Sequence, residues 1–512
     1  MRFITSNEFY NSNIIAIILN KIIKKVGKIM TITLLTNKKG PKISKYIYGQ
    51  FSEHLGRGIY GGIYVGEDSK IPNVKGMRTD VVSALKAIHV PVLRWPGGLF
   101  ADTYHWQQGI GPKVNRKKIV NTNWGTVTED NSFGTHEYFE LLKQIGADAY
   151  INANIGSGTV QEMSEWIEYM TMKGESPMSN LRRKNGQNSP WKVKFFGIGN
   201  ESWGGGGNMR PEYYADVYRQ YQTFLPQYDT QHPIFKVACG PNEDDYHWTD
   251  VVMKNAGQFI DGLSLHYYTL PTGDWKLSKG SATDFTSDLW YSTMAKAKFM
   301  DRLITKHTEI MDNYDPQKRV ALIVDEWGTW YDVEQGTNPG FLYQQNTLRD
   351  VLSAAITLNI FHKHADRVKM ANIAQMVNVL QAMILTKDEQ MLKTPTYYLF
   401  DMYQNHMDAT LVEEEGHLPE HITYTASQKS GHLTISLGNY DLNNSQQLEF
   451  TFMSPFQQLE DATIITGEKM DSHNTFENPN NVTLQKFDKA TLQNNKLQVT
   501  IPAKSVVSLT LN

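Results

Sequence analysis

The chain has 512 residues, room for two or three domains, and 40% of them are hydrophobic, enough for a large core. Fifty basic residues face 53 acidic ones, so no strong field recruits nucleic acid or an anionic membrane. A single cysteine, Cys239, excludes an intrachain disulfide, and no segment reaches the ~18 apolar residues of a membrane span.

In chain order, residues 1–30 read as an N-terminal extension. Its short apolar run, Ile14 to Leu19, precedes its lysines rather than following them and shows no small-residue cleavage site, so it makes a poor secretory signal. Met30 is the preferred start, and a cytoplasmic location is expected; a periplasmic or secreted one is the alternative if the run acts as a signal. Residues 31–44 follow, where Thr31 to Leu35 alternates like a strand of a β-sandwich.

Residues 45–395 alternate between apolar strand-like runs and helical patterns. The strands are 46–51, 90–95, 149–154, 193–198, 235–240, 262–268, 320–324 and 368–374. The helices between them are 80–88, 137–145, 160–170, 212–225, 248–256, 294–314 and 346–362. Eight strands alternating with helices predict a (β/α)₈ TIM barrel. A doubly wound sheet would show an early phosphate-binding glycine motif, and none is present. From 396 to 512 the helical signals stop, and short alternating runs separated by Asn- and Gly-rich turns predict a C-terminal antiparallel β-sandwich domain.

Two predicted strands stop at carboxylates. Gly197-Ile198-Gly199-Asn200-Glu201 closes the fourth, and Val324-Asp325-Glu326-Trp327-Gly328 closes the seventh. Strands four and seven of a barrel stand nearly opposite each other, and the active face is the C-terminal one, so Glu201 and Glu326 can converge. A carboxylate pair is the minimal equipment for breaking a glycosidic bond. Trp203 and Trp327 flank the two acids and suit a sugar face. Other strand ends carry Glu53-His54, Arg94, Asn152 and Asn154, His266 and Tyr268, and Gln375. One such residue alone reads as a turn or cap, but six strand ends together read as one site.

His362 and His364 close a helix, where favourable charge accounts for them, and HExxH and CxxC are absent. No metal and no cofactor are therefore expected. Gly204 to Gly207 lacks the Lys-Ser/Thr of a phosphate loop and reads as a flexible loop on the active face. Cys239 closes a buried strand and reads as core.

Further segments resemble glycoside hydrolase family 51, chiefly α-L-arabinofuranosidases. They are Phe51-Ser52-Glu53-His54-Leu55-Gly56-Arg57, Tyr60-Gly61-Gly62-Ile63-Tyr64, Leu93-Arg94-Trp95-Pro96-Gly97-Gly98, Tyr104-His105-Trp106, Gly199-Asn200-Glu201-Ser202-Trp203, Leu265-His266-Tyr267-Tyr268, Asp325-Glu326-Trp327 and His364-Ala365-Asp366-Arg367-Val368. The similarity runs from about residue 45 to 400, with the motifs in the family's order. It implies a retaining, exo-acting enzyme releasing arabinofuranose from arabinan, arabinoxylan or their oligosaccharides. By the same resemblance Glu201 is the acid/base and Glu326 the nucleophile. Asn200 bonds the sugar's 2-hydroxyl, and Glu53, Arg94, Tyr268 and Gln375 line the glycone pocket, Arg94 and Tyr268 orienting Glu326. Trp106 and Trp330 are implied as apolar walls, and a hexamer as the assembly. Where the family typically has Asn after Pro-Gly-Gly, this chain has Leu99; Asn152 or Asp102 are the expected compensators. Two other readings stand beside this one: another retaining glycosidase on the same barrel, such as an endoglucanase or β-xylosidase, and a non-catalytic sugar-binding protein.

Overall fold

A computed structural model describes residues 30–512; the expected extension, residues 1–29, lies outside the described residues. Eight parallel strands close a barrel in chain order. They are β1 (Gly49–Phe51), β2 (Val92–Trp95), β3 (Asp148–Ala153), β4 (Phe195–Ile198), β5 (Phe235–Ala238), β6 (Gly262–Thr269), β7 (Ala321–Thr329) and β8 (Val368–Ile373). Alternate residues divide between two cores, as strand geometry requires. Val92, Tyr150, Phe195, Val237, Ile323 and Met370 fill the inside. Leu93, Ile151, Phe196, Ala238, Leu263 and Leu322 face the surrounding helices. This parity sends Arg94, two residues after Val92, into the barrel.

The seven expected helices are present as Thr79–Ala87, Thr135–Ile145, Val160–Thr171, Pro211–Thr223, Tyr246–Ala256, Ser287–Tyr314 and Leu348–Lys363. Two more escaped the periodicity. Pro177–Lys184 is too polar to show an apolar stripe, yet Ser176 caps it by accepting from the Ser179 N–H. Pro395–Met402 is buried on most sides, so it lacks the polar face that a 3.6-residue period needs. Helical structure therefore persists past residue 396. The expected strand at 46–51 is shorter as well. Lys45–Tyr48 forms a 3₁₀ turn, with the Ser44 hydroxyl accepting from the Tyr46 N–H, and only Gly49–Phe51 enters the sheet.

The C-terminal part packs a five-stranded sheet on a six-stranded one. Met30–Leu34 is a strand of the former, parallel to Gln446–Phe452, with Ile32 opposite Phe450. The central strands of the six-stranded sheet, Ile422–Lys429, His432–Asn439 and Ser505–Leu511, pair antiparallel. Ile32, Leu437, Phe450, Leu497 and Leu509 share the core between the sheets. The sandwich docks on the helix Leu348–Lys363. There the Asn359 amide donates to the Thr423 hydroxyl at 3.0 Å, and His362 meets Thr425 at 3.1 Å. His362 also meets the Tyr48 hydroxyl at 2.9 Å. It is a junction residue, held by barrel and sandwich together.

Candidate active site

At the C-terminal ends of the strands lies a cavity of about 320 Å³, reached by Glu53, Leu99, Glu201, Tyr268, Glu326 and Gln375. A roomier opening, about 570 Å³, lies between barrel and sandwich. It lacks a facing pair of acids over buried cations, so the chemistry belongs to the smaller cavity.

β7 does not stop at its acid, as the sequence suggested, but runs on to Thr329. By strand parity Ile323 and Asp325 point inward and Glu326 outward. The pairing with β8 shifts register between Val324 and Trp327. Such an irregularity re-aims side chains, and here both Asp325 and Glu326 reach the interior. Trp327 falls on the helix side, against Phe361 and Phe400. The sugar-face role expected for Trp327 is therefore corrected: it is core.

Glu326 is held at both oxygens. The Arg94 guanidinium donates to Oε1 at 2.8 Å and the Tyr268 hydroxyl to Oε2 at 2.8 Å. Gly98 packs so close that a Cβ there would lie 2.8 Å from Glu326 Oε1. Arg94 also donates to Asn200 Oδ1 and lies 3.5 Å from Asp325. Burial works against its charge, but Asp325 and Glu326 outweigh burial and keep the guanidinium ionised.

Glu201 sits just beyond β4 with a backbone φ of +43°, the left-handed region that costs a non-glycine residue energy. Its carbonyl accepts from the N–H groups of Gly204 and Gly206 at 2.8 and 3.1 Å. The glycine run, expected as a flexible loop, is thus a hydrogen-bonded turn that holds the acid in place. Burial raises the Glu201 carboxyl above the ordinary glutamate range, and the nearby Glu326 adds to the rise; the hydrogen bond from His266 works the other way.

His266 bridges the acids. Its Nδ1 lies 3.0 Å from Glu201 and 3.5 Å from Glu326, and its Nε2 lies 3.1 Å from Asp325. Burial disfavours the imidazolium, but these carboxylates win and lift it to about 10. Asp325 is buried, yet Arg94, His266 and the Tyr150 hydroxyl hold it below the ordinary aspartate range. Oxygens of Glu201 and Glu326 and a nitrogen of His266 lie within 4.8 Å of one another. Three such groups can ligate a metal, but a ring donating from both nitrogens has no lone pair to offer one.

Glu53 and Gln375 face each other across β1 and β8. The Gln375 amide donates to Glu53 Oε2 at 3.2 Å, and Glu53 Oε1 accepts from the N–H groups of Gly98 and Phe100. Burial pushes Glu53 up to about 7 against those hydrogen bonds. Asn200 leaves its Nδ2 buried without a partner, a donor free for a ligand. Trp330 lines the cavity beside Tyr268, ring centroids 4.9 Å apart.

Like Trp327, Trp106 does not reach the site at which it is expected. It stacks parallel on Trp166, 6.2 Å away, donates to the Glu162 carbonyl and does not touch the cavity. It belongs to the aromatic core behind β2. The expected compensators for Leu99 are also elsewhere. Asp102 Oδ1 accepts from the Ile155 and Gly156 N–H groups, and Asn152 faces Gly197 inside the barrel. Asn154 caps its own loop, accepting from the Ser157 and Gly158 N–H groups. Conversely, Trp124, Asn242 and Trp275 line the cavity. All three lie in loops that carry no periodic signal.

The same assembly of parts recurs in known proteins. Residues 84–285 match the model of the alpha-L-arabinofuranosidase 1 domain, and residues 325–505 that of the alpha-L-arabinofuranosidase C-terminal domain. An intracellular exo-alpha-L-arabinofuranosidase of Bacteroides ovatus is 52% identical over 94% of this chain and 96% of its own. The crystal structure of a GH51 arabinofuranosidase from Xanthomonas axonopodis pv. citri superposes with a TM-score of 0.93 at 47% identity, covering 95% of this chain and all of that one. An alpha-L-arabinofuranosidase of Thermotoga maritima, solved as an arabinose complex, gives 0.84 at 31% identity over 94% and 99% of the two chains. With this geometry and these relatives, the chain belongs to the α-L-arabinofuranosidases of glycoside hydrolase family 51.

Proposed function

We propose that the protein is a retaining, exo-acting α-L-arabinofuranosidase that releases terminal non-reducing arabinofuranose from arabinan, arabinoxylan or derived oligosaccharides. The observation that carries this is the pair Glu201 and Glu326. An oxygen of each lies within 4.8 Å of an oxygen of the other, so the two carboxyls face one reacting centre, as the roughly 5–5.5 Å pair of double displacement must.

Glu326, oriented by Arg94 and Tyr268, attacks the anomeric carbon. The bond to the leaving oxygen breaks as Glu201 delivers its proton there. A water then gives its proton to Glu201, attacks the same carbon and frees Glu326. Elevated proton affinity suits Glu201 to both tasks. Asn200 Nδ2 meets the 2-hydroxyl, and Glu53 with Gln375 holds hydroxyls farther round the ring. His266 is a positioning residue, because it fixes one Glu201 oxygen and leaves the other for the leaving group. A bounded cavity of about 320 Å³ suits removal of an end sugar; an endo-acting enzyme needs a long groove.

The 52% identical relative described as intracellular supports a cytoplasmic setting. Among the described residues no helix is long and apolar enough to cross a membrane. We read the assembly as a homo-oligomer, a hexamer by family resemblance, which light scattering on the purified protein will test. The catalytic test uses 4-nitrophenyl glycosides. The wild type is expected to act best on the α-L-arabinofuranoside. Glu326→Ala is expected to lose about 10⁴-fold or more and to regain turnover with azide, giving the inverted glycosyl azide. Full activity in that variant removes Glu326 from the nucleophile role.

A further inference from the structure

β4 and β5 pair in step from Phe195 and Phe235 up to Ile198 and Ala238, and there the ladder stops. Beyond it the β4 chain turns away through Gly199 and Glu201, whose φ angles are +88° and +43°. In a parallel ladder the next groups to meet are the Ile198 carbonyl and the Cys239 N–H. Here one oxygen stands between them. The Tyr214 hydroxyl donates to the Ile198 carbonyl at 2.8 Å and accepts from the Cys239 N–H.

Tyr214 comes from the helix Pro211–Thr223, which follows β4, and its side chain is wholly buried. Burial drives its phenol well above the ordinary range, so the hydroxyl stays neutral and serves as donor and acceptor at once. Cys239 carries the link onward. Its Sγ accepts from the Ser202 N–H at 3.3 Å, while the Trp248 indole donates to its carbonyl at 3.1 Å. The peptide between Glu201 and Ser202 is therefore gripped on both edges: its N–H by the sulfur, its carbonyl by the N–H groups of Gly204 and Gly206. A phenylalanine and a valine would fill the same core. The oxygen and the sulfur are needed only because the strands part here, and the parting lets Glu201 lean over the mouth of the barrel.

We infer that the Tyr214 hydroxyl and the Cys239 thiol act as one positioning unit for the catalytic acid. They hold the ends of β4 and β5 apart at a fixed spacing and pin the backbone of Glu201 in its left-handed conformation. Neither lines the cavity, so both act through Glu201 and not on the substrate. This rests on the glycosidase reading above and deepens it.

The test measures kcat/KM on two substrates. α-1,5-Arabinobiose has a leaving oxygen that needs the proton of Glu201; α-L-arabinofuranosyl fluoride does not need it. Tyr214→Phe and Cys239→Val are each expected to lose about tenfold on the biose and less than about twofold on the fluoride. The double variant should lose no more than the worse single one, because residues acting as a unit are not additive. Cys239→Ser, which keeps an acceptor, should stay within about threefold of the wild type on the biose. Melting curves confirm that each variant is folded, and either single variant carries the test if the other does not fold. Equal losses on both substrates, no loss on the biose, losses that multiply in the double variant, or a Cys239→Ser as poor as Cys239→Val overturn the unit. A wild type inactive on both substrates overturns the functional reading instead, and the unit with it.

Discussion

His266 under the catalytic cavity and His406 at the barrel–sandwich junction are 3% and 0% exposed, yet they take opposite charge states. Burial disfavours an imidazolium at both. His266 is ringed by Glu326, Asp325 and Glu201, which lift it to about 10. His406 meets only hydroxyls, Ser427 at 2.7 Å and Ser436 at 2.9 Å, and burial takes it down to about 3. A serine hydroxyl donates or accepts as needed, so a neutral ring is fully satisfied there. The partner, not the depth, decides the charge. The same fold therefore holds a cation where chemistry needs one and a neutral hinge-pin where two domains meet.

The largest effect belongs to the acid that His266 serves. Glu201→Ala is expected to cost about 10²–10⁴-fold in kcat/KM on substrates whose leaving oxygen needs a proton. α-L-arabinofuranosyl fluoride should lose far less. An equal loss on both would place the acid elsewhere.

His266→Gln breaks the comparison at its charged end. A hydrogen bond to a charged group is lost, worth about 10- to 100-fold in kcat/KM. The pH profile separates positioning from plain damage. The first step needs Glu201 protonated, so the rate falls on the alkaline side as Glu201 ionises. The imidazolium favours the ionised form, and removing it raises the Glu201 pKa further. The alkaline limb should move to higher pH; an unmoved limb would show that His266 does not act through Glu201.

The two histidines also make opposite contributions to stability against pH. His266 binds its proton more tightly folded than at its ordinary 6.5. Its contribution is full below 6.5 and is lost as pH rises towards about 10. His406 binds its proton less tightly folded than unfolded. Its contribution is full above 6.5 and is lost as pH falls from there towards about 3, because the unfolded chain takes up the proton first. His362, packed 5.1 Å from His406 and also pushed down by burial, adds to the same window. Melting temperature should therefore drop between pH 7 and 5. His406→Gln should melt lower at pH 8, by about 1–3 kcal/mol of stability for its unmet hydrogen bonds, but with a shallower acid slope. An unchanged slope would assign the acid sensitivity to other groups.

How much of this was legible in the sequence follows from what each feature needs. Strands buried on both faces must be apolar runs, so seven of the eight stood out to within a few residues at their starts. β1, three residues long behind a 3₁₀ turn, did not keep its expected length. Glu201 and Glu326 were visible because a carboxylate stands out at the end of such a run. That Asp325 and Glu326 both face inward was not legible, since a register shift leaves no trace in composition. Trp327 was misread because a tryptophan in a strand faces the cavity or the helices by parity alone; Trp106, expected from the resemblance and not from a strand end, opens the 3₁₀ turn Trp106–Gly109 and packs on Trp166. Trp124, Asn242 and Trp275 stayed hidden because their loops are placed by long-range bonds, such as that from Trp275 to Glu243, that no local pattern encodes.

The smallest expected effect concerns Leu99, an apolar residue on the rim of a polar site. It lines the cavity, and it packs so tightly on the turn after Glu201 that a Cβ on Gly205 would meet its Cδ2 at 2.4 Å. That turn supplies the N–H groups that hold the Glu201 backbone in its left-handed conformation. Leu99 therefore supports the acid, while its carbonyl accepts from the Asn123 amide at 3.2 Å. Leu99→Asn keeps the carbonyl but withdraws the apolar wedge. The new amide would be half-buried, beside a turn whose Gly206 also meets the unpartnered Asp102 Oδ2, so the loss comes from the withdrawn wedge. We expect kcat/KM on an arabinofuranoside to fall about three- to tenfold, mostly in kcat, because the acid and not the glycone contacts loses its support. A clear rise, carried by a lower KM, would show instead that the amide reaches a furanose hydroxyl and that the native rim lacks that contact.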